Sequence, residues 1–107
     1  MKNNVKQKRM VQFFSALADE TRLKILISLT VGEKTVGEIY SGFEESLTLS
    51  AVSHQLKILS NAEIINSKKN GREKIYSLSG NFCWCILRDA AKQFGIKYPK
   101  KQIEHGL

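Results

Sequence analysis

The chain has 107 residues, 42% hydrophobic and 25% charged, and its 17 Lys and Arg against 10 Asp and Glu give a net charge of +7. That length allows one domain, residues 1–107, with a single modest core, and the composition is that of a globular protein and not of a disordered or fibrous one. The longest apolar run, residues 82–87, has six residues, far short of the roughly 20 that a membrane-spanning helix needs.

The basic N-terminus is not followed by an apolar stretch with a small-residue cleavage site, so no secretory signal is expected and the chain is placed in the cytoplasm. Its excess of cations favours a polyanionic partner, nucleic acid first, against the plainer alternative of charge that only keeps the protein soluble. Two cysteines one residue apart suit no ordinary disulfide framework and are expected as reduced thiols.

Met10, Phe13, Phe14 and Leu17 recur at i, i+3, i+4, i+7 and predict a first helix with one apolar face, its start solvated by Lys2, Lys6, Lys8 and Arg9. Asp19 can accept the free N–H groups of a second helix, to which Leu23, Ile25, Leu26, Ile27 and Leu29 bring buried surface. Gly32 interrupts that pattern, Thr35 opens a short third helix with Val36, Ile39 and Tyr40, and Ser41-Gly42 ends it before an acidic loop with Glu44 and Glu45. Thr48 caps a fourth helix in which Val52, Leu56 and Leu59 share the core face.

From Ile64 to Leu78 the period becomes two, with Ile65, Ser67 and Lys69 on one side of Asn70-Gly71 and Arg72, Lys74 and Tyr76 on the other. A two-residue Asn-Gly turn would set Lys69 opposite Arg72 and Lys68 opposite Glu73. Gly80-Asn81 opens a last helix that Pro99 closes, with a loose tail beyond.

The fourth helix presents Ser50, Ser53, His54 and Lys57 as one stripe, with Ala51 and Gln55 beside it. In the major groove Gln can pair with adenine, Ser with several bases, Ala with a thymine methyl group and Lys with phosphate or guanine. A plain solvated face is the competing reading. Lys68, Lys69, Arg72 and Lys74 crowd the hairpin against Glu73, and such a projection can reach phosphates or the minor groove, although edge lysines also discourage strand pairing. A helix pair, a polar helix and a basic hairpin in this order describe a winged helix-turn-helix: mainly α, with about five helices and a two-stranded β-hairpin wing. The expected DNA contacts are Thr48, Ser50, Ala51, Ser53, His54, Gln55, Lys57, Lys69, Asn70, Arg72 and Lys74.

The run 82–87, if helical, is apolar around its whole circumference, more than one core covers. A second subunit is the simplest cover, with Met10, Phe13, Phe14, Phe82, Trp84 and Ile86 as the expected dimer interface; packing within one chain is the alternative. Cys83 and Cys85 would lie about 200° apart on a helix, so they converge on one ion only if the helix unwinds or a second subunit contributes. Apolar filling, soft-metal or arsenite binding across a dimer, and reversible oxidation all fit these thiols; apart from that possibility no metal or cofactor site is evident. No glycine-rich phosphate loop and no nucleophile with a base partner is present, so an enzyme is not expected.

Three runs, FSALADETRLKIL at 14–26, AVSHQLKIL at 51–59 and NGREKIYSL at 70–78, resemble the arsenical-resistance-repressor (ArsR/SmtB-type) family of winged-helix regulators over residues 10–95. The resemblance implies a homodimer paired through its first and last helices, the fourth helix in the major groove of a double-stranded DNA operator with an imperfect inverted repeat, and repression relieved by an inducer that the sequence leaves unidentified. A winged-helix module that binds protein and does not read DNA is the alternative. Two departures stand out. Ala62-Glu63-Ile64 replaces the usual Ala-Gly-Leu after the recognition helix, which leaves the helix end or the wing angle open. The metal-site positions of the family are occupied here by residues 33–37 (EKTVG) and by Gly80, Phe82 and Gln93, which lack its ligands.

Overall fold

The structure is a computed structural model that describes residues 4–99; Lys2 and the tail expected beyond Pro99 lie outside the described residues. Its elements run α1 (Asn4–Leu17), α2 (Glu20–Leu29), β1 (Lys34–Thr35), α3 (Val36–Tyr40), α4 (Leu49–Asn61), β2 (Ile65–Asn70), β3 (Glu73–Leu78) and α5 (Cys85–Gln93). Among the described residues no helix is long and apolar enough to cross a membrane.

Local chemistry sets the helix starts. Asp19 Oδ2 accepts the Arg22 N–H at 3.0 Å and Thr48 Oγ1 accepts the Ala51 N–H at 3.1 Å. Thr35 and Glu38 satisfy each other's backbone N–H groups at 3.1 and 2.8 Å in a capping box, the reciprocal arrangement that meets two otherwise orphaned donors.

The apolar faces meet in one cluster. Ile25, Leu26 and Leu29 of α2 pack with Val52, Leu56 and Leu59 of α4, Ile39 of α3, Ile64 and Ile65 at the start of the hairpin, and Leu87 of α5. Each such side chain contributes about 1.5–3 kcal/mol through burial. The sequence reading is corrected at Leu23, which lies at the exposed edge of α2. Beyond α5, Tyr98 returns to the core, where burial raises its phenol above the ordinary value while a hydrogen bond with Thr30 pulls it down.

The sheet is antiparallel and has three strands in the order β1-β3-β2, one more than the expected hairpin. Lys34 and Thr35 of β1 pair with Tyr76 and Ile75. The hairpin register also differs from the expected one: Asn70 pairs with Glu73, Lys69 with Lys74 and Lys68 with Ile75. The turn is therefore Gly71-Arg72. Only Gly71 takes positive φ there, +69°, the pattern of a II′ turn with glycine first, where Asn-Gly in a I′ turn needs two such residues.

Helix α4 ends in a left-handed turn although no glycine stands there. The Ile64 N–H reaches Leu59 O and the Glu63 N–H reaches Ser60 O, both at 3.0 Å, a Schellman closure in which Leu59 and Ile64 also bury their side chains together. Glu63 consequently sits at φ 61°. Helix α5 closes in the same way through Ile96 to Ala91 and Gly95 to Lys92, but there the left-handed residue is Gly95, at φ 67°, and this turn, not Pro99, ends the helix. A left-handed non-glycine costs about 1–2 kcal/mol, and glycine returns about 0.5–1 of that as chain entropy. Glu63→Gly is expected to raise the unfolding free energy by about 0.5–1 kcal/mol, read as a higher urea midpoint at unchanged slope. An unchanged midpoint would mean that loss of the exposed Arg9–Glu63 pair, at 3.8 Å, offsets the backbone effect.

Candidate nucleic-acid interface

Helix α4 divides as its periodicity requires. Val52, Leu56 and Leu59 are buried, at 0, 1 and 0% exposure, so Ser50, Ser53, His54 and Lys57 are turned to solvent. Ala51 and Gln55 lie half-buried at the edge of that stripe. Gln55 is not free: its Oε1 accepts a hydrogen bond from Arg22 Nη1 at 2.8 Å. Thr48, the cap, is exposed, and its oxygen is engaged by the Ala51 N–H.

The hairpin carries the second half of the surface. Lys69, Asn70, Arg72 and Lys74 are all exposed, with Arg72 at the turn. Lys69 and Lys74 stand directly opposite each other, an arrangement that is unfavourable without a counter-charge. Lys68 is compensated, since its Nζ lies 3.4 Å from Glu33 Oε1. No ion pair to Lys69, Arg72 or Lys74 forms among the described residues. What remains is a concentrated positive field at the hairpin tip, suited to a polyanion.

The last helix departs most from expectation. It starts at Cys85 and not at Gly80-Asn81, so only residues 85–87 of the apolar run are helical. The reason lies in the preceding loop. Ser79 is buried, its N–H donates to Ile64 O at 2.9 Å, and its carbonyl accepts Trp84 Nε1–H at 2.8 Å. This bridge folds residues 80–84 into a turn, and the angular separation of Cys83 and Cys85 on a helix does not apply.

The two sulfurs are joined as a disulfide, which corrects the expectation of reduced thiols. In that state neither offers a thiolate to a metal. Among the described residues no group of three His, Cys, Asp or Glu side chains could hold an ion.

The expected interface residues also separate. Phe82 stacks on Phe13 with ring centroids 4.6 Å apart, and Trp84 lies against both rings at 5.7 and 6.0 Å. Phe13, Phe82, Trp84 and Ile86 are thus half-covered by their own chain. Met10 and Phe14 remain 58 and 47% exposed. Met10, Phe13, Phe14 and Phe82 line one open groove of about 540 Å³. Val5 and Val11 of α1 and Phe94 and Ile96 after α5 are exposed as well.

Comparison with known proteins identifies relatives. Residues 19–67 match the pattern of bacterial regulatory proteins of the arsR family. The chain is 37% identical over 83 residues to the transcriptional repressor SmtB homolog of Synechocystis sp., an alignment covering 78% of this chain and 61% of that protein. It is 39% identical over 70 residues to the transcriptional repressor SdpR of Bacillus subtilis, covering 65% of this chain and 76% of that one. Its fold is similar to that of HlyU from Vibrio cholerae N16961, with a TM-score of 0.76 and 29% identity over 89% of this chain and 99% of the other.

Proposed function

The chain belongs to the arsR family of bacterial regulatory proteins, and from that premise we propose that it is a homodimeric winged helix-turn-helix repressor, a single domain that binds operator DNA in the cytoplasm and performs no catalysis. The observation that carries this reading is the outward face of α4, polar and exposed, beside a hairpin tip whose cations have no internal partner among the described residues. Helix α4 enters the major groove, where Ser50, Ala51, Ser53, His54, Gln55 and Lys57 meet base edges and phosphates. Lys69, Asn70, Arg72 and Lys74 form a wing that follows the backbone, and Thr48 lies where the α4 N-terminus approaches a phosphate.

The dimer is formed through α1 and the end of α5. Met10 and Phe14, exposed in one protomer, supply the apolar surface that a partner covers, while Phe13, Phe82, Trp84 and Ile86 shape its base. Two-fold symmetry then sets two recognition helices against two half-sites of an inverted repeat, a whole number of helical turns apart. An inducer acts by shifting the dimer away from the geometry that fits those half-sites.

Selection of bound fragments from sheared genomic DNA, with sedimentation of the free protein, tests the reading. The expected result is a dimer at micromolar concentration and enrichment of imperfect inverted repeats upstream of genes. A monomer that enriches no sequence would overturn it.

A further inference from the structure

Arg22 occupies an unusual position between three helices. Its backbone N–H is received by the Asp19 cap at 3.0 Å. Its side chain crosses to the last turn of α1, where Nε donates to Ala16 O at 2.8 Å and Nη2 approaches Ser15 O at 3.4 Å. Carbonyls at a helix C-terminus lack intrahelical partners and attract a cation. The remaining arm, Nη1, donates to Gln55 Oε1 at 2.8 Å, across 33 residues of sequence. The guanidinium is planar and has donors only, so anchoring two arms on α1 dictates where the third points and requires that Gln55 meet it with oxygen.

The orientation has a chemical consequence at the groove. Bidentate recognition of adenine needs both arms of the Gln amide on one base edge, oxygen accepting from N6 and nitrogen donating to N7. An amide oxygen has two lone pairs, so Arg22 leaves one open, but the bond fixes the amide plane and holds Oε1 toward α2, where it is no longer free to swing onto the base edge that its N–H₂ meets. The N–H₂ donors are then the arm that leads toward a base, and they match acceptor edges such as guanine O6 and N7 or thymine O4.

We propose that Arg22 is a positioning residue for base selection: it fixes the Gln55 amide with its N–H₂ donors foremost and so disfavours adenine at the base pair Gln55 addresses. The inference rests on the DNA-binding reading above and adds to it a residue of α2, outside the recognition helix and the wing.

The test uses the full-length protein and a random-sequence duplex pool, followed by the four single-base variants of the selected duplex at each position. Gln55→Ala identifies the base pair that Gln55 reads, as the one where discrimination disappears. The parent is expected to prefer guanine or thymine there. Arg22→Met, which keeps the apolar stem and removes the donors, frees Oε1 and should raise adenine relative to the parent's preferred base by about tenfold. Preferences at other positions should not move, and Arg22→Met combined with Gln55→Ala should match Gln55→Ala alone. General loosening of the fold would weaken all sequences together and leave this ranking intact.

If Arg22→Met proves too unstable to assay, Arg22→Lys carries the same readout, since an ammonium lacks the planar fork that holds α1 and Gln55 at once. A parent that discriminates at the Gln55 position, with a base ranking unchanged in the Arg22 variants, overturns this proposal and leaves the DNA-binding reading standing. A parent that selects no sequence overturns both.

Discussion

Replacing Lys69, Arg72 and Lys74 together by Ala is expected to lower operator affinity by about 100-fold or more at physiological salt and to flatten its salt dependence. Each neutralised phosphate releases condensed counterions, so the slope of log K against log salt should fall by about 0.9 for every phosphate that the variant no longer neutralises. The structure singles out these three because Lys69 and Lys74 face each other across the hairpin, Arg72 stands at the turn, and none has a partner within the described residues. Such a cluster repels itself until an anion arrives, so its removal should leave folding stability unchanged or raise it by a few tenths of a kcal/mol. Lys68→Ala is the internal control. Lys68 is already paired with Glu33, and its replacement should move the slope far less. Titration over a salt series on operator and scrambled duplex checks this: weakening on both sequences alike marks backbone binding, whereas an unchanged slope removes the wing from the interface.

Leu56→Ala should cost about 3 kcal/mol or more in unfolding free energy, because Leu56 is 1% exposed in the centre of the cluster where α2 and α4 meet and truncation there leaves a cavity that the surrounding side chains fill incompletely. Against a total stability of about 5–15 kcal/mol, this lowers the melting temperature by more than about 10 °C in a domain of this size. Leu49, at the start of the same helix and 48% exposed, is the contrast: its replacement by Ala should stay within about 0.5 kcal/mol. Urea and thermal unfolding check both. Equal costs at the two positions would mean that α4 does not present the face inferred here, and the assignment of its groove-reading residues would fall with it. The same comparison separates folding from recognition, since Leu56→Ala should bind operator at low temperature wherever it remains folded.

The features that the sequence determines by itself are those whose causes lie within one turn of helix or one hairpin. Asp19, Thr35 and Thr48 cap their helices because a side-chain oxygen meets an N–H three residues on, and the 3.6-residue period divides α4 between core and solvent. The basic hairpin and the winged helix-turn-helix order are legible for the same reason, and the family resemblance is borne out by the matched pattern and relatives. Tertiary structure decided the rest. The two residues of β1 carry no period of their own and become a strand only because β3, about 40 residues later, offers its free edge. The wing register moved by one residue at the turn because Gly71, followed by a negative-φ Arg72, closes a II′ turn. Trp84 reaching Ser79 O delayed α5 to Cys85, and that displacement freed Cys83 from helical geometry and allowed its bond with Cys85. Gln55 reads in sequence as a free base-pairing side chain, but in the fold its oxygen belongs to Arg22, a partner 33 residues away. Periodicity and capping record what a residue needs from its neighbours along the chain; which distant group satisfies the remaining polar atoms is settled only when the helices pack.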